Sequence, residues 1–188
     1  MNQVVFVRTY DQALPADVCD LIIDRFEHDR LHQQETDLKG HRHFTEINVT
    51  ASDGWQDVHQ MILNSVSECV YLYRTDLNLD SRLWPVKYGF EQIRIKRYEP
   101  NGLDAFHYHV DVGDYYSARR FLVCFFYLNT VEKGGETSFY LDPNHRWLTI
   151  KPERGRAVLF PPTWTFPHAG EKTLSGNKYI IGSYLHYL

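Results

Sequence analysis

From residue 92 onward the chain is cut into short runs of strand-forming residues by turn chemistry, and this rhythm restricts the fold more than any other feature. Residues 92–96 alternate polar and apolar side chains, the period-two pattern of a half-buried strand. Residues 121–129 are almost wholly apolar, as a strand covered on both faces is. Residues 137–140, 147–151, 156–160 and 178–187 supply four further candidates. Gly134-Gly135, Asp142-Pro143-Asn144, Glu153-Arg154-Gly155 and Ser175-Gly176-Asn177 separate them, each a turn signal. Many short strands punctuated in this way predict a barrel or a double-sheet jelly roll.

The first half reads differently. An apolar run at 4–7 suggests one short strand. Pro15 then opens a helix, where its missing N–H costs nothing, and Val18, Leu21, Ile22 and Phe26 follow at helical spacing. Residues 30–42 are polar and read as a mobile loop of the kind that borders sites. A strand is expected at 43–50. After Asp53-Gly54, Trp55, Val58, Ile62, Val66, Cys69, Val70 and Tyr73 recur at three and four, the strongest helical pattern in the chain. Residues 76–89 are irregular, with Pro85 ending any helix. The expectation is one α+β, mainly β domain over 1–188: mainly helical support in 1–90, and a jelly-roll core carrying the chemistry in 91–188.

Composition narrows the function. A formal charge of −4 offers no general basic field for phosphate backbones, which weighs against nucleic acid as a partner. The longest apolar run, 121–128, is far short of a membrane span, and residues 1–11 lack the apolar core of a signal peptide. Cys19, Cys69 and Cys124 are odd in number and lie in apolar runs, so free buried thiols are expected. Together these point to a cytoplasmic protein.

Two places carry metal chemistry. His109-Val110-Asp111 puts an imidazole and a carboxylate two residues apart, which on a strand means the same face. His168 lies far downstream, in a Pro-Pro-Thr-Trp-Thr-Phe-Pro-His-Ala-Gly stretch. If these meet, two histidines and one carboxylate bind one face of a metal and leave the other open, the donor set of non-haem Fe(II) sites. Lys178 opens the last strand among apolar neighbours, where an inward ammonium needs an anion.

The ordered set His109-x-Asp111, His168, Lys178 resembles the 2-oxoglutarate and Fe(II)-dependent dioxygenases, in particular their prolyl 4-hydroxylase-like branch. Supporting stretches run from Arg97-Tyr98-Glu99-Pro100-Asn101-Gly102 through Tyr127-Leu128-Asn129, Gly134 to Phe139 and Gly155 to Phe160, to His168-Ala169-Gly170 and Lys178-Tyr179. The resemblance covers the chain from Tyr98 onward. It implies a double-stranded β-helix, with His109, Asp111 and His168 holding Fe(II) as the catalytic set. It further implies that Lys178 pairs with the distal carboxylate of 2-oxoglutarate and Tyr98 hydrogen-bonds to the same group. The implied cofactors are Fe(II), 2-oxoglutarate and O2, with ascorbate as an auxiliary reductant. The implied reaction hydroxylates a C–H bond with release of succinate and CO2. Two positions depart from the branch: Val123 stands where a threonine is common, and Tyr184 where a tryptophan is common.

Other readings of the same residues stay open at this level. His109 and Asp111 could be a hydrogen-bonded loop pair, Lys178 could snorkel to solvent, and Tyr98 could be a core tyrosine. His107 is the rival ligand, but the motif needs the carboxylate two positions after the histidine. His28 and His32 mimic a helical zinc pair without a third ligand, so a wet helix end is the better account; His41-Arg42-His43 has no evident partner. Arg119 and Arg120 either meet a substrate carboxylate or merely start a strand. Phe106, Tyr108, Tyr115, Tyr116, Trp164 and Phe166 suit a groove for an extended proline-containing peptide, or a pocket for a free amino acid or other small molecule. The class-level rivals are a non-catalytic jelly-roll binding module and a zinc hydrolase lacking a convincing general base.

Overall fold

The computed structural model describes residues 6–188. Two helices and twelve strands follow one another as β1 (Arg8–Tyr10), α1 (Ala16–His28), β2 (Gln34–Leu38), β3 (Arg42–Asn48), α2 (Gln56–Asp76), β4 (Tyr88–Phe90), β5 (Arg94–Tyr98), β6 (Ala105–His109), β7 (Arg120–Tyr127), β8 (Thr137–Asp142), β9 (His145–Ile150), β10 (Ala157–Phe160), β11 (His168–Gly170) and β12 (Lys178–Tyr187). All twelve strands join one antiparallel sheet in the order β1-β10-β7-β12-β5-β3-β6-β11-β8-β9, with β2 added to β3 and β4 to β12. The sheet curls until distant strands face each other. Phe139 of β8 and Phe160 of β10, several strands apart in that order, meet edge-on with ring centroids 4.8 Å apart, and the Tyr127 and Thr137 hydroxyls hydrogen-bond at 2.5 Å. This is the mainly β jelly roll that the strand rhythm predicts.

Strand parity sorts the side chains into two layers. On β7, Leu122, Cys124 and Phe126 pack toward the helices, while Val123 and Tyr127 join the interior of the curl. On β12, Tyr179, Ile181 and Leu185 face the helices, and Lys178, Ile180 and Tyr184 line the cavity. β5 does the same, with Ile95 outward to the helices and Arg94, Lys96 and Tyr98 inward. The helices close the outer layer: α2 buries Val58, Ile62, Val66, Cys69, Val70 and Tyr73. Each such side chain contributes roughly 1.5–3 kcal/mol relative to exposure. β12 and β7 approach so closely at Gly182 that a Cβ there would run into the Cys124 carbonyl oxygen and Phe125. A partly buried ionic knot ties α1 to this sheet, with Glu27 accepting from Arg97 at 2.9 Å and from the Tyr179 hydroxyl at 2.8 Å.

Several expectations need correction. The strand expected at 4–7 falls largely outside the described residues. The buried stripe of α1 is Cys19, Ile22 and Phe26, and Leu21 stays 43 % exposed. Residues 30–42 are not a loop: they contain β2, which pairs with β3 over five residues. That strand is mostly exposed on both faces, so main-chain bonding forms it and no alternation marks it. His43 does have partners, Asp104 at 2.7 Å and Glu35 at 3.0 Å. The first ninety residues do more than brace the core, because β3 is inserted between β5 and β6 at the heart of the sheet. The three cysteines are free and buried. No described helix is long and apolar enough to cross a membrane.

Candidate metal centre and its cavity

β6 and β11 run antiparallel with His109 opposite His168, which brings residues far apart in sequence to a ring-centroid distance of 4.2 Å. Asp111 completes the group, although not by strand parity. β6 ends at His109, and Asp111 lies in the following bend, where its backbone N–H donates to the Pro162 carbonyl at 3.1 Å. His168 is the first residue of β11. The Asp111 carboxylate oxygens stand 3.6 Å from His109 Nε2 and 3.4 Å from His168 Nε2. One donor atom from each of the three residues lies within 4.8 Å of the others.

Hydrogen bonds fix which nitrogen faces inward. His109 Nδ1 sits 2.6 Å from the His107 carbonyl and His168 Nδ1 3.1 Å from the Phe166 carbonyl. A carbonyl only accepts, so each Nδ1 carries the proton and each Nε2 keeps a lone pair, the tautomer of a metal-bound imidazole. Phe106 stacks on the His109 ring at 3.5 Å and 4° and holds it in place. His109 Nε2 and Asp111 Oδ2 are buried and have no hydrogen-bond partner. Unpartnered buried polar atoms of this kind are costly unless a cation completes them, and a divalent ion with N2O donors fits. Burial pushes His168 down to about 4, with the His109 ring adding to the shift, so it is neutral where a ligand must be. Burial alone would raise the Asp111 carboxyl, but His168, His109 and Tyr184 together hold it well below the usual range.

Tyr184 is the residue that sequence reasoning undervalued. Its hydroxyl donates to Asp111 Oδ1 at 2.7 Å, leaving Oδ2 for the metal. Arg120 then locks the tyrosine: its guanidinium lies 4.0 Å from the Tyr184 ring centroid, forks onto Glu91 at 2.8 Å and donates to the Asp111 carbonyl at 2.9 Å. Arg120 thus starts a strand and also supports the site, whereas Arg119 is exposed. The signal available in advance was the departure at 184 itself, a polar ring at an inward position.

The inner cavity runs from these donors to Lys178. Lys178 is 2 % exposed and donates to the Gly135 carbonyl at 3.1 Å. Its ammonium stands 4.3 Å over the Tyr98 ring, since Lys178 and Tyr98 are register partners on β12 and β5. No carboxylate is within ion-pairing distance of it among the described residues, and burial pushes it down to about 8. Val123 also lines the cavity. His107 is exposed and contributes only its backbone oxygen, and His28 and His32 lie away at the end of α1. Of the aromatic set, Phe106 stacks on the centre, Phe166 is buried, Tyr108 is partly exposed, and Tyr115, Tyr116 and Trp164 stand in solvent.

A family model described as "2OG-Fe(II) oxygenase superfamily" matches residues 93–186. No curated protein sequence is significantly similar to this chain. Among solved structures, the chain is similar to a viral collagen prolyl hydroxylase from Paramecium Bursaria Chlorella virus-1 in a 2OG complex, with a TM-score of 0.70 and 21 % identity over 97 % of both chains. A Trichoplax adhaerens prolyl hydroxylase, in complex with a hypoxia inducible factor peptide fragment, gives a TM-score of 0.73 at 16 % identity, covering 98 % of this chain and 86 % of that one. A Pseudomonas putida prolyl-4-hydroxylase gives 0.67 at 15 % identity, covering 97 % and 92 %. At these identities the structures establish a shared fold.

Proposed function

This chain belongs to the 2OG-Fe(II) oxygenase superfamily, and from that premise we propose that it hydroxylates a prolyl residue in an extended peptide, using His109, Asp111 and His168 to hold Fe(II). The observation that carries the metal assignment is the pair of orphaned buried atoms, His109 Nε2 and Asp111 Oδ2, converging with His168 Nε2. Lys178 takes the distal carboxylate of 2-oxoglutarate, because it is a buried cation in the same cavity without an anionic partner; Tyr98 flanks that carboxylate. With Fe(II), 2-oxoglutarate and O2 bound, the centre couples decarboxylation of 2-oxoglutarate to succinate and CO2 with insertion of one oxygen into a substrate C–H bond.

The chain's own residues position and protect that chemistry. With only His109, Asp111 and His168 as protein donors, a bound Fe(II) would keep positions free for cosubstrate and O2. Tyr184 holds the Asp111 carboxylate in one orientation through Oδ1, and Phe106 prevents the His109 ring from turning. Phe139 and Phe160 pack against His168 and keep water from that side. Peptide as substrate is supported by the solvent-facing rings of Tyr115, Tyr116 and Trp164, 79–89 % exposed, since proline-rich segments dock on such surfaces. The test is succinate formation from 2-oxoglutarate with Fe(II) and ascorbate, followed by a peptide panel read for a mass gain of one oxygen. Absence of succinate would remove the enzyme reading, and oxygen gain only on free amino acids would replace the peptide.

A further inference from the structure

Two cavities share the metal centre, an inner one that ends at Lys178 and an outer cleft that opens to solvent beside Thr36, Arg42 and Tyr116. Lys178 borders only the inner one. Lys96, two residues before Tyr98 on the same face of β5, borders both, at the junction that a substrate entering from the cleft must pass.

The charges on the cleft wall do not cancel. Glu46 is paired with Arg94 at 3.0 Å and Glu91 with Arg120 at 2.8 Å, while the exposed Asp114 accepts from the Ser117 hydroxyl at 2.7 Å and keeps its charge. Asp111 belongs to the metal centre. Arg119, Lys96 and Arg42 remain; Arg119 is exposed, whereas Lys96 and Arg42 are partly buried in the cleft wall, and neither of these two forms a hydrogen bond to a side chain or an ion pair among the described residues. Their contacts are aromatic. The Lys96 ammonium lies 4.7 Å from the Phe44 centroid and 5.7 Å from that of Phe106, and the Arg42 guanidinium also stands 5.7 Å from Phe106. Arg42 Nε is buried and unpartnered. Both cations therefore flank the one ring that stacks on His109. Aromatic faces hold a cation in place without neutralising it, and a guanidinium fork beside an ammonium is a carboxylate receptor.

We propose that Lys96 and Arg42 form a clasp for a carboxylate carried by the substrate, so that the enzyme selects substrates with an acid group close to the carbon it hydroxylates. This rests on the reading of the centre as a 2-oxoglutarate oxygenase and adds the substrate's chemistry. The carboxylate comes from an acidic side chain flanking the target in a peptide or from the α-carboxylate of a free amino acid. Lys178 serves the cosubstrate and Lys96 the substrate, because only Lys96 reaches the outer cleft.

The full chain, loaded with Mn(II) and 2-oxoglutarate under argon, is titrated calorimetrically with capped peptides in which proline is flanked by glutamate, glutamine or lysine, and with L-proline and L-prolinamide. In wild type one carboxylate probe binds roughly tenfold or more tighter than its amide counterpart: the glutamate peptide if the acid is a side chain, L-proline if it is a free α-carboxylate. The preference disappears in Lys96→Met and Arg42→Met, survives in Lys96→Arg, and reverses toward the lysine peptide in Lys96→Glu; melting curves show that each variant is folded. The proposal is overturned if wild type fails to favour either carboxylate probe, including by binding neither. It is also overturned if the preference persists in both methionine variants, or if Lys96→Met weakens 2-oxoglutarate and leaves substrate selection intact. Failure of the underlying reading shows separately, as wild-type protein with Fe(II) that makes no succinate.

Discussion

Replacing Tyr184 by phenylalanine tests how the centre is assembled, because it removes one oxygen atom and nothing else. The lost bond is the 2.7 Å contact from the phenol to Asp111 Oδ1. A hydrogen bond to an ionised, buried carboxylate is worth about 1.5–3 kcal/mol. The ring, and with it the stacking under Arg120 at 4.0 Å, is preserved, so the fold is retained. What changes is the freedom of the carboxylate to turn away from the two Nε2 atoms. Groups that orient a ligand in this way are worth about 10–100-fold in metal affinity, which matches the energy of the bond at about 1.4 kcal/mol per decade. Titration of the apo protein with Co(II), followed by ligand-field absorption, reads the affinity directly. Tyr184→Phe is expected to bind Co(II) at least tenfold more weakly and, because the same bond exists without metal, to melt several degrees lower in metal-free buffer while still unfolding cooperatively. Equal Co(II) affinity in the two proteins would refute the claim that this tyrosine sets the carboxylate.

The buried ammonium of Lys178 gives a pH signature. Its folded value of about 8 lies below the unfolded 10.5, so between these values the unfolded chain binds the extra proton and stability rises with pH. The burial penalty is present in full below about pH 8 and is relieved toward pH 10.5. Without cosubstrate, wild type should therefore gain melting temperature relative to Lys178→Met across that window, while 2-oxoglutarate affinity falls as pH rises above about 8; a flat difference would place the ammonium in solvent. Gly182→Ala should destabilise the protein by about 1–3 kcal/mol, measured by urea denaturation, because its methyl group meets the Cys124 carbonyl and Phe125. A neutral result there would mean that β12 and β7 separate easily.

How much was readable in advance depended on whether packing leaves a period in the residues. α2 and β5 each bury one face and their periods announced them, whereas β7, covered on both sides, was announced by an unbroken apolar run. β2 buries neither face and β11 is three residues long, so neither offers a repeat to read. His109 and His168 were recoverable as an ordered pair of motifs, and the structure places them opposite each other. The reason offered for Asp111 was wrong in mechanism, because a bend held by Pro162 and not the pleat delivers it to the site. The bond from Tyr184 to Asp111 crosses from β12 to the end of β6, a tertiary contact that local pattern does not encode. The same holds for Lys96 and Arg42, which meet around Phe106 from three different strands.

The two-layer sorting of β5, β7 and β12 limits how such a protein can diversify. A single inserted or deleted residue in any of these strands would swap its layers from that point onward, sending Lys96 or Tyr184 into the oily seam under α1 and α2. New substrate preferences can therefore be reached by exchanging side chains at 94, 96 and 123 one at a time, while the lengths of the strands that carry them stay fixed.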